Sequence, residues 1–447
     1  MKRSMTMLLM VQFFGFTANR AHADAENWAS FRGAGLRGVS DASDIPETWS
    51  ADKNIAWNIR VPGRAWSSPI IWGDKVIVTT AVTNAELETP KKGLYFGGNR
   101  PKPHDATYTW QVHCYSLNDG KLRWKKVAKK AKPRTAVHLK NTYASETPVT
   151  DGKHIYAYFG SAGLYCYDMD GNLVWEKSLG IFKTRYAWGT ASSPILHEEK
   201  LFVQCDNEGQ SFVVALDKAS GKELWRVQRK GGSSWATPYI WQNDKRTELV
   251  TSATEAVRSY DPATGKLLWQ LRGMSSIVIT TPFSAHGLLY INSGYVGDKT
   301  KPIYAIRSGA KGDISLPRYE TSNDFVAWSS QKIGTYNPTP VLLDDRLYVL
   351  YDRGIMGCFD ARSGKLIYKE RMEGGVGRFT SSPWAHGGKV YCANEDGDTW
   401  VIEPGDSLKV VRINRLDDMF MATPAIANGS LVMRGRDFLY CIRSTNR

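Results

Sequence analysis

Arginine, tryptophan and a few other polar residues occur just before eight Ser-Pro or Thr-Pro dipeptides in this 447-residue chain. Guanidinium groups pair with carboxylates and phosphates, and indole rings stack on flat ligands. Among these residues only Glu146 is acidic, so the set suits an anionic or polyhydroxylated ligand better than a divalent cation. An alternative interpretation is that the side chains fill a channel and bond its inner strands. The candidate binding residues are Arg64, Trp66, Tyr143, Glu146, Arg185, Trp188, Trp235, Asn337 and Arg378.

Other chemistry finds little support in the sequence. The eight histidines show no HxH or HExxH spacing, and the six cysteines show no CxxC pair. The segments DNEGQS (206–211) and NEDGDT (394–399) resemble calcium loops but lack the twelfth-position Glu, which favours plain β-turns. We therefore expect no catalytic residue and no metal site.

The Ser/Thr-Pro dipeptides mark a repeat that must position the candidates. Successive prolines lie 41 to 46 residues apart, except for two longer spacings of 79 and 58 residues. Each unit contains short alternating strands separated by Gly and Asp turns, a pattern typical of a four-stranded propeller blade. Proline fits the start of a strand, where no ladder N–H is lost.

The two ends of the chain predict how the ring closes. The eighth unit stops after its third strand at Arg447, whereas NIAWNIRV (54–61) resembles the fourth strand of another unit, KLRWKKVA (121–128). A strand from the N-terminus would complete the last blade and remove the exposed sheet edges. We predict an all-β fold: an eight-bladed β-propeller of four-stranded antiparallel blades, with the last blade closed by an N-terminal strand.

Two insertions interrupt the repeat. Residues 84–110 lengthen the first blade and residues 308–325 the fifth. Long loops on a rigid scaffold often carry function, but they can equally cover sheet edges. The sequence leaves both interpretations open.

The N-terminus predicts export. Lys2 and Arg3 precede a short apolar core, and Ala21-His22-Ala23 fits a small-x-small cleavage site. We expect a signal peptide at 1–23, an extension at 24–53 and a single propeller domain at 54–447. The expected location is the periplasm or the exterior, as a monomer without a transmembrane segment. Because an exported chain seldom meets nucleic acid, the net charge of +14 points to an anionic envelope surface or polymer.

A second repeat joins an acid, a glycine and a tryptophan. It reads ALDKASGKELW (215–225), SYDPATGKLLW (259–269), CFDARSGKLIY (358–368) and CYSLNDGKLRW (114–124). The acid can accept backbone N–H groups of the turn, glycine allows positive φ, and the indole can pack on the next blade. Trp328 is displaced by the second insertion, and the seventh unit has no aromatic residue at this position.

This repeat resembles the tryptophan-docking motif of the quinoprotein dehydrogenase-like propellers, across about residues 54–443. That family includes dehydrogenases dependent on pyrroloquinoline quinone (PQQ) and BamB-type outer-membrane assembly lipoproteins. The resemblance implies eight blades and, in the dehydrogenases, a quinone with Ca²⁺ at the channel mouth. This chain lacks their adjacent Cys-Cys pair and the CxxCH haem signature. Its first cysteine is Cys114, so we expect no lipidated cysteine after the signal.

We therefore expect an exported binding or scaffold module for envelope proteins, or for an anionic or carbohydrate ligand, without catalysis or a cofactor. The alternative is a PQQ-dependent alcohol or sugar dehydrogenase that uses PQQ with Ca²⁺.

Overall fold

Eight antiparallel sheets form an eight-bladed propeller in the computed structural model, which describes residues 27–42, 44–94, 102–374 and 377–444. The described chain is all-β apart from three single 3₁₀ turns, at Ala34–Leu36, Gly160–Ala162 and Arg185–Ala187. The predicted fold class is confirmed. The predicted signal peptide, 1–23, lies outside the described residues.

Each innermost strand begins at the residue after a Ser/Thr-Pro proline, as the repeat predicts. In chain order, the strands of the first four blades are β2 (Ile70–Trp72), β3 (Lys75–Val82), β4 (Tyr108–Ser116), β5 (Leu122–Ala131); β6 (Val149–Thr150), β7 (His154–Tyr158), β8 (Leu164–Asp168), β9 (Leu173–Lys177); β10 (Ile195–His197), β11 (Lys200–Cys205), β12 (Ser211–Asp217), β13 (Glu223–Arg229); β14 (Tyr239–Gln242), β15 (Thr247–Thr251), β16 (Val257–Tyr260) and β17 (Leu267–Leu271).

The last four blades follow the same order and include both ends of the ring. Their strands are β18 (Phe283–Ala285), β19 (Leu288–Asn292), β20 (Ile303–Arg307), β22 (Val326–Ser330); β23 (Val341–Leu343), β24 (Arg346–Tyr351), β25 (Ile355–Asp360), β26 (Leu366–Arg371); β27 (Trp384–His386), β28 (Lys389–Ala393), β29 (Asp398–Glu403), β30 (Lys409–Arg415); β31 (Ala425–Ala427), β32 (Ser430–Arg434), β33 (Phe438–Ile442) and β1 (Ile55–Arg60).

The eighth blade is closed by the N-terminal strand. β1 pairs antiparallel with β33, with Asn58 opposite Tyr440 and Ile59 opposite Leu439. The backbone groups at the edge of β33 thus find partners about 380 residues away in sequence. The predicted closure is confirmed.

The second insertion adds a strand. β21 (Gly312–Asp313) runs parallel to β17 at the outer edge of blade four, and Ile314 donates its N–H to the Gln270 carbonyl at 2.9 Å. Arg272 also pairs with Asp313. Blade four thus keeps its four predicted antiparallel strands and gains a short fifth strand from the insertion. Of the two interpretations left open for 308–325, the edge cover is the one observed.

Tryptophans hold neighbouring blades together. The indole N–H of Trp175 donates to the Lys218 carbonyl at 3.0 Å, and its ring covers Gly221, where a Cβ would lie 2.7 Å away. Gly221 has φ of 69°, which suits glycine best. Trp328, although displaced in sequence, makes the same contact on blade six by donating to the Ala361 carbonyl at 3.0 Å. Trp269 differs, since it donates to Glu248 at 2.6 Å within its own blade.

The Ser or Thr before each repeat proline links blades around the channel. The backbone N–H of Ser68 donates to the Thr147 hydroxyl at 2.9 Å, and the N–H of Thr147 donates to the Ser193 hydroxyl at 2.9 Å. The same bond recurs at 3.0 to 3.2 Å from Ser193 to Thr237, Thr281 to Thr339, Thr339 to Ser382 and Ser382 to Thr423. We call this set the hydroxyl ring.

The N-terminal extension crosses the end of the channel where the turns between first and second strands lie. Trp28 exchanges two backbone hydrogen bonds with Ile71 of blade one, and Ser40 donates to the Ala385 carbonyl of blade seven at 2.9 Å. Between them, Leu36 packs in the core of blades four and five. The extension therefore closes this end of the channel, which we call the closed face.

Arg32 anchors the extension. Its side chain is fully buried, and its guanidinium donates to the Leu36 and Arg37 carbonyls at 3.0 and 2.8 Å. It also donates to carbonyls of the inner strand entries, at Thr339, Pro340 and Pro383, over 2.9 to 3.4 Å. Burial without a carboxylate partner lowers the pKa of Arg32 to about 9. One cation thus ties the extension to blades six and seven.

We expect Arg32→Met to lower the free energy of unfolding by on the order of 3 kcal/mol, because several buried carbonyls lose a charged donor. Urea denaturation followed by tryptophan fluorescence measures the change. The matched control is Arg37→Met, since the Arg37 side chain is exposed in the same segment. Equal effects of the two substitutions would show that Arg32 is not the anchor.

Candidate ligand-binding site

A cavity of about 370 Å³ occupies the channel on the side opposite the closed face. Phe31 of the N-terminal extension is part of its wall, so the channel is blind at that end. Its size falls in the range of small-molecule sites. The eight residues of the repeat dipeptides all line it: Ser68, Thr147, Ser193, Thr237, Thr281, Thr339, Ser382 and Thr423.

One side of the cavity is aromatic. The rings of Trp188 and Trp235 lie 5.7 Å apart, and those of Tyr295 and Tyr336 lie 5.2 Å apart. Trp235 and Tyr336 are buried with Ile277, and Leu94 packs against them. The Trp235 indole N–H is held by the Gly189 carbonyl at 2.6 Å, which fixes the ring. This aromatic wall offers flat apolar surface to a ligand.

Two polar groups of the wall have no partner within the described chain. The Trp66 indole N–H and the Ser68 hydroxyl are both inaccessible and without a hydrogen bond. Both residues line the cavity. A buried polar group without a partner costs about 1–3 kcal/mol, so each group favours a ligand atom that would bond it.

The first insertion reaches over the mouth. Glu395 of blade seven is 1% exposed and accepts the Gly93 N–H and the Lys140 ammonium, each at 2.7 Å. Lys140 also donates to the Gly93 carbonyl at 2.9 Å, and Lys92 pairs with Asp396 at 2.7 Å. Lys92 and Gly93 of this insertion are thereby held over the mouth. Residues 108–110, expected within it, belong to β4.

Four of the nine predicted residues line the cavity: Trp66, Trp188, Trp235 and Asn337. Trp188 lies 5.9 Å from the His138 ring, and the Asn337 amide donates to Asp352 at 3.2 Å. Their contact with a ligand stays a prediction.

The other five predicted residues are not among the residues lining the cavity. Arg64 donates to the Leu87 and Glu88 carbonyls of the first insertion, at 3.0 and 2.5 Å. The Tyr143 hydroxyl donates to the Thr135 carbonyl at 3.1 Å, and its ring packs on Tyr108.

Glu146, Arg185 and Arg378 also contact other residues of the protein. Glu146 is 1% exposed and accepts the Thr190 hydroxyl at 2.5 Å. Arg185 donates to the Ser276 carbonyl at 2.9 Å and lies 4.0 Å from Glu208. Arg378 lies beside Gly93, where a Cβ would come within 3.1 Å of its side chain. The three predicted arginines are not among the lining residues, and their pairing with an anion stays a prediction.

Sequence reasoning missed residues of the turns between second and third strands. Tyr295 and Arg353 line the cavity from these turns of blades five and six, and Glu395 holds the insertion from that of blade seven. The turns are visible in the sequence as Gly- and Asp-rich segments such as YDRG (351–354). In a propeller these turns lie on the same face as the entries of the inner strands. Candidate binding residues could therefore have been sought in the sequence at both places.

Two carboxyl groups near the mouth are strongly desolvated. Burial raises the pKa of Glu146 to about 7 and the pKa of Asp352 to about 6. Hydrogen bonds from Thr190 and Asn337 oppose these shifts only in part. Both groups therefore carry less charge near neutral pH than free carboxylates do.

The residues present do not fit a quinone held by Ca²⁺. Calcium takes six to eight oxygen ligands, commonly carboxylates. No group of three His, Cys, Asp or Glu residues that could hold a metal ion occurs in 27–42, 44–94, 102–374 and 377–444. Glu395 has its oxygens taken by Lys140, Thr380 and Gly93.

Comparison with known proteins places the fold. The family model described as outer membrane protein assembly factor BamB matches residues 109–237 and 209–333, together half of the chain. No curated protein sequence matches. Among solved structures, BamB from Moraxella catarrhalis is similar with 13% identity and a TM-score of 0.57, over 87% of this chain and 98% of that one.

Two further structures resemble this chain. A quinohemoprotein alcohol dehydrogenase from Comamonas testosteroni has 10% identity and a TM-score of 0.62, over 96% of this chain and 82% of that one. A computationally designed protein, Ika8, has 10% identity and a TM-score of 0.55, over 90% of this chain and all of that one. At such identities the likeness shows the fold alone.

The fold and the match to the family model define the class of protein as an eight-bladed propeller of PQQ-like repeats. This chain belongs to the PQQ-like β-propeller family that includes BamB, as its sequence motifs suggest. In the part of the chain that the structure describes, no helix is long and apolar enough to cross a membrane.

We expect Glu146→Gln to flatten the pH dependence of stability. Because the folded protein binds the Glu146 proton more tightly than the unfolded chain, the free energy of unfolding falls as pH rises from about 4.5 to about 7. Over that window the wild type should lose on the order of 3 kcal/mol relative to the variant. Urea denaturation at several pH values measures the difference, and a constant difference would contradict the raised pKa.

We expect Lys140→Met to lower the free energy of unfolding by about 3 kcal/mol, since Glu395 would keep a buried charge without its cation. The control is Lys92→Met, which removes the half-exposed pair with Asp396 and should cost under about 1 kcal/mol. Thermal denaturation measures both variants. Similar Tm values for the two would show that the Glu395 contact does not hold the insertion.

Proposed function

We propose that this chain is a non-catalytic binding module of the cell envelope, which holds a ligand or partner segment in the cavity at the open face. The observation that carries the proposal is a blind cavity with a fixed aromatic wall and two polar groups without a partner. Such a cavity suits recognition, because it offers apolar area together with a few positioned polar groups.

The carboxylates near the mouth are poorly placed to act as a catalytic base. A base must come within hydrogen-bond reach of the proton it removes. Glu395 is occupied by Lys140 and the Gly93 backbone, and Glu146 lies outside the wall against Thr190. Asp352 accepts the Asn337 amide. These contacts support binding over oxidation of an alcohol.

A location in the cell envelope is supported by the sequence and by the family. The N-terminal pattern at 1–23 is typical of an export signal, and the family description names an outer-membrane assembly factor. Tyr186 and Val296, at 57% and 42% exposure, stand near the aromatic wall and could contact an envelope protein. We propose a periplasmic or secreted location on these grounds.

Binding in the cavity is tested by titrating the purified chain with soluble oligosaccharides, neutral and carboxylated, while following tryptophan fluorescence. We expect a saturable change with at least one probe, because Trp188 and Trp235 lie in the wall. Trp188→Leu should weaken it at least tenfold, whereas Trp72→Leu, at the closed face, should not. Absence of saturation with every probe would contradict the proposal.

The oxidation alternative has its own test. The protein is incubated with PQQ and Ca²⁺, and dye reduction is followed with ethanol and glucose. We expect no turnover above the quinone alone. Turnover that follows stoichiometric quinone binding would replace the binding proposal with a dehydrogenase.

A further inference from the structure

Resting on the proposed function, we infer that the ligand is a neutral carbohydrate whose terminal pyranose ring enters the cavity end-on. The inference names the ligand class of that same site. It depends on the charge of the wall, on the unpaired polar groups and on the blind end of the channel.

The cavity wall holds little charge for an anion to pair with. The described lining includes two residues with permanently charged side chains, Lys140 and Arg353. Lys140 is 11% exposed and already paired with Glu395 at 2.7 Å. Arg353 is exposed at the rim. A polyanion that enters the cavity would therefore lose the hydration of several charged groups and gain only one guanidinium as a partner. Its binding is unfavourable for that reason.

Hydroxyl groups, by contrast, find complementary partners. The unpaired Trp66 N–H and Ser68 hydroxyl are shielded in this arrangement, so each side chain must rotate slightly to meet a ligand. The Trp66 N–H would then donate to a sugar hydroxyl, and the Ser68 hydroxyl would donate or accept. In the hydroxyl ring, residues such as Thr147 and Thr339 accept backbone N–H groups, so the hydroxyl proton of each can be donated to a ligand. The Asn337 amide adds a further polar group.

The aromatic wall supplies the surface that a pyranose ring needs. A sugar ring has one apolar face of C–H groups, and the paired rings of Trp188 with Trp235 and Tyr295 with Tyr336 present flat area to it. The Trp235 ring is held by the Gly189 carbonyl, so little side-chain entropy is lost on binding.

The closed face sets how much of a glycan can enter. Phe31 forms part of the wall, and Arg32 next to it fixes the extension on three carbonyls of blades six and seven. A polysaccharide cannot thread through such a channel. Recognition must therefore involve a chain end, with the rest of the glycan leaving past residues 93–94 of the first insertion.

The test compares three trisaccharides by isothermal titration calorimetry: cellotriose and N,N′,N″-triacetylchitotriose as neutral sugars, and trigalacturonate as an anion. PQQ is added as a second anion of a different shape. We expect a neutral trisaccharide to bind at least tenfold more tightly than trigalacturonate. Reduction of a neutral trisaccharide opens the ring at its reducing end only. A tenfold loss of affinity after reduction would show that the reducing end enters the cavity, and unchanged affinity would show that the other end enters.

Two variants locate the contact. Trp66→Phe keeps an aromatic ring but removes the N–H, and Ser68→Ala removes the hydroxyl; each should raise the Kd about five- to tenfold. Trp72→Phe, at the closed face, is the matched control and should leave the Kd unchanged. Circular dichroism and Tm of each variant identify any loss of folding.

The outcomes separate the two claims. Binding of trigalacturonate or PQQ in preference to the neutral sugars would overturn the carbohydrate inference and leave a binding site in the cavity. Neutral binding unaffected by Trp66→Phe and Ser68→Ala would place the sugar elsewhere and also overturn the inference. Failure of every probe to bind would contradict the proposed function itself.

Discussion

The alignment of the blades depends on a hydrogen bond from one blade's backbone N–H to the next blade's Ser or Thr hydroxyl, which the described residues make at six of the eight blade interfaces. Much of each blade interface is apolar, and apolar contact alone does not set the rotation of one sheet against another. A hydroxyl 2.9 Å from the Ser68 or Thr147 backbone does set it. The following proline has no N–H, so this residue adds no backbone donor that would need a partner at the axis.

The same residues determine what the channel can hold. Because the hydroxyls that link the blades also line the cavity, its wall is polar without being charged. The aromatic wall is added by residues from the strand entries and from the turns between second and third strands. Holding the ring together and receiving a ligand are thus two uses of one set of side chains.

The sequence predicts the fold well because a repeat specifies one local structure eight times. The proline positions predict where every inner strand begins, and Trp57 predicts the closing strand. The added β21 could not be foreseen, since Gly312 and Asp313 carry no strand pattern. Trp328 shows the reverse case, in which the three-dimensional contact is kept although the sequence spacing is lost.

The site is less predictable, because nearness to the channel entry does not fix where a long side chain points. Arg64 and Arg185 lie at strand entries, yet both bond carbonyls of neighbouring loops. Glu395 and Tyr295 reach the mouth from turns that sequence spacing treats as ordinary. A fold shared by many proteins does not specify a ligand, so the site has to be argued from its own side chains.

The pairing of β1 with β33 has a consequence for the order of folding. During synthesis β1 emerges long before its partner β33. The ring therefore stays open until nearly the whole chain is available. Bringing together segments so distant in sequence carries a large loop-closure entropy and slows folding.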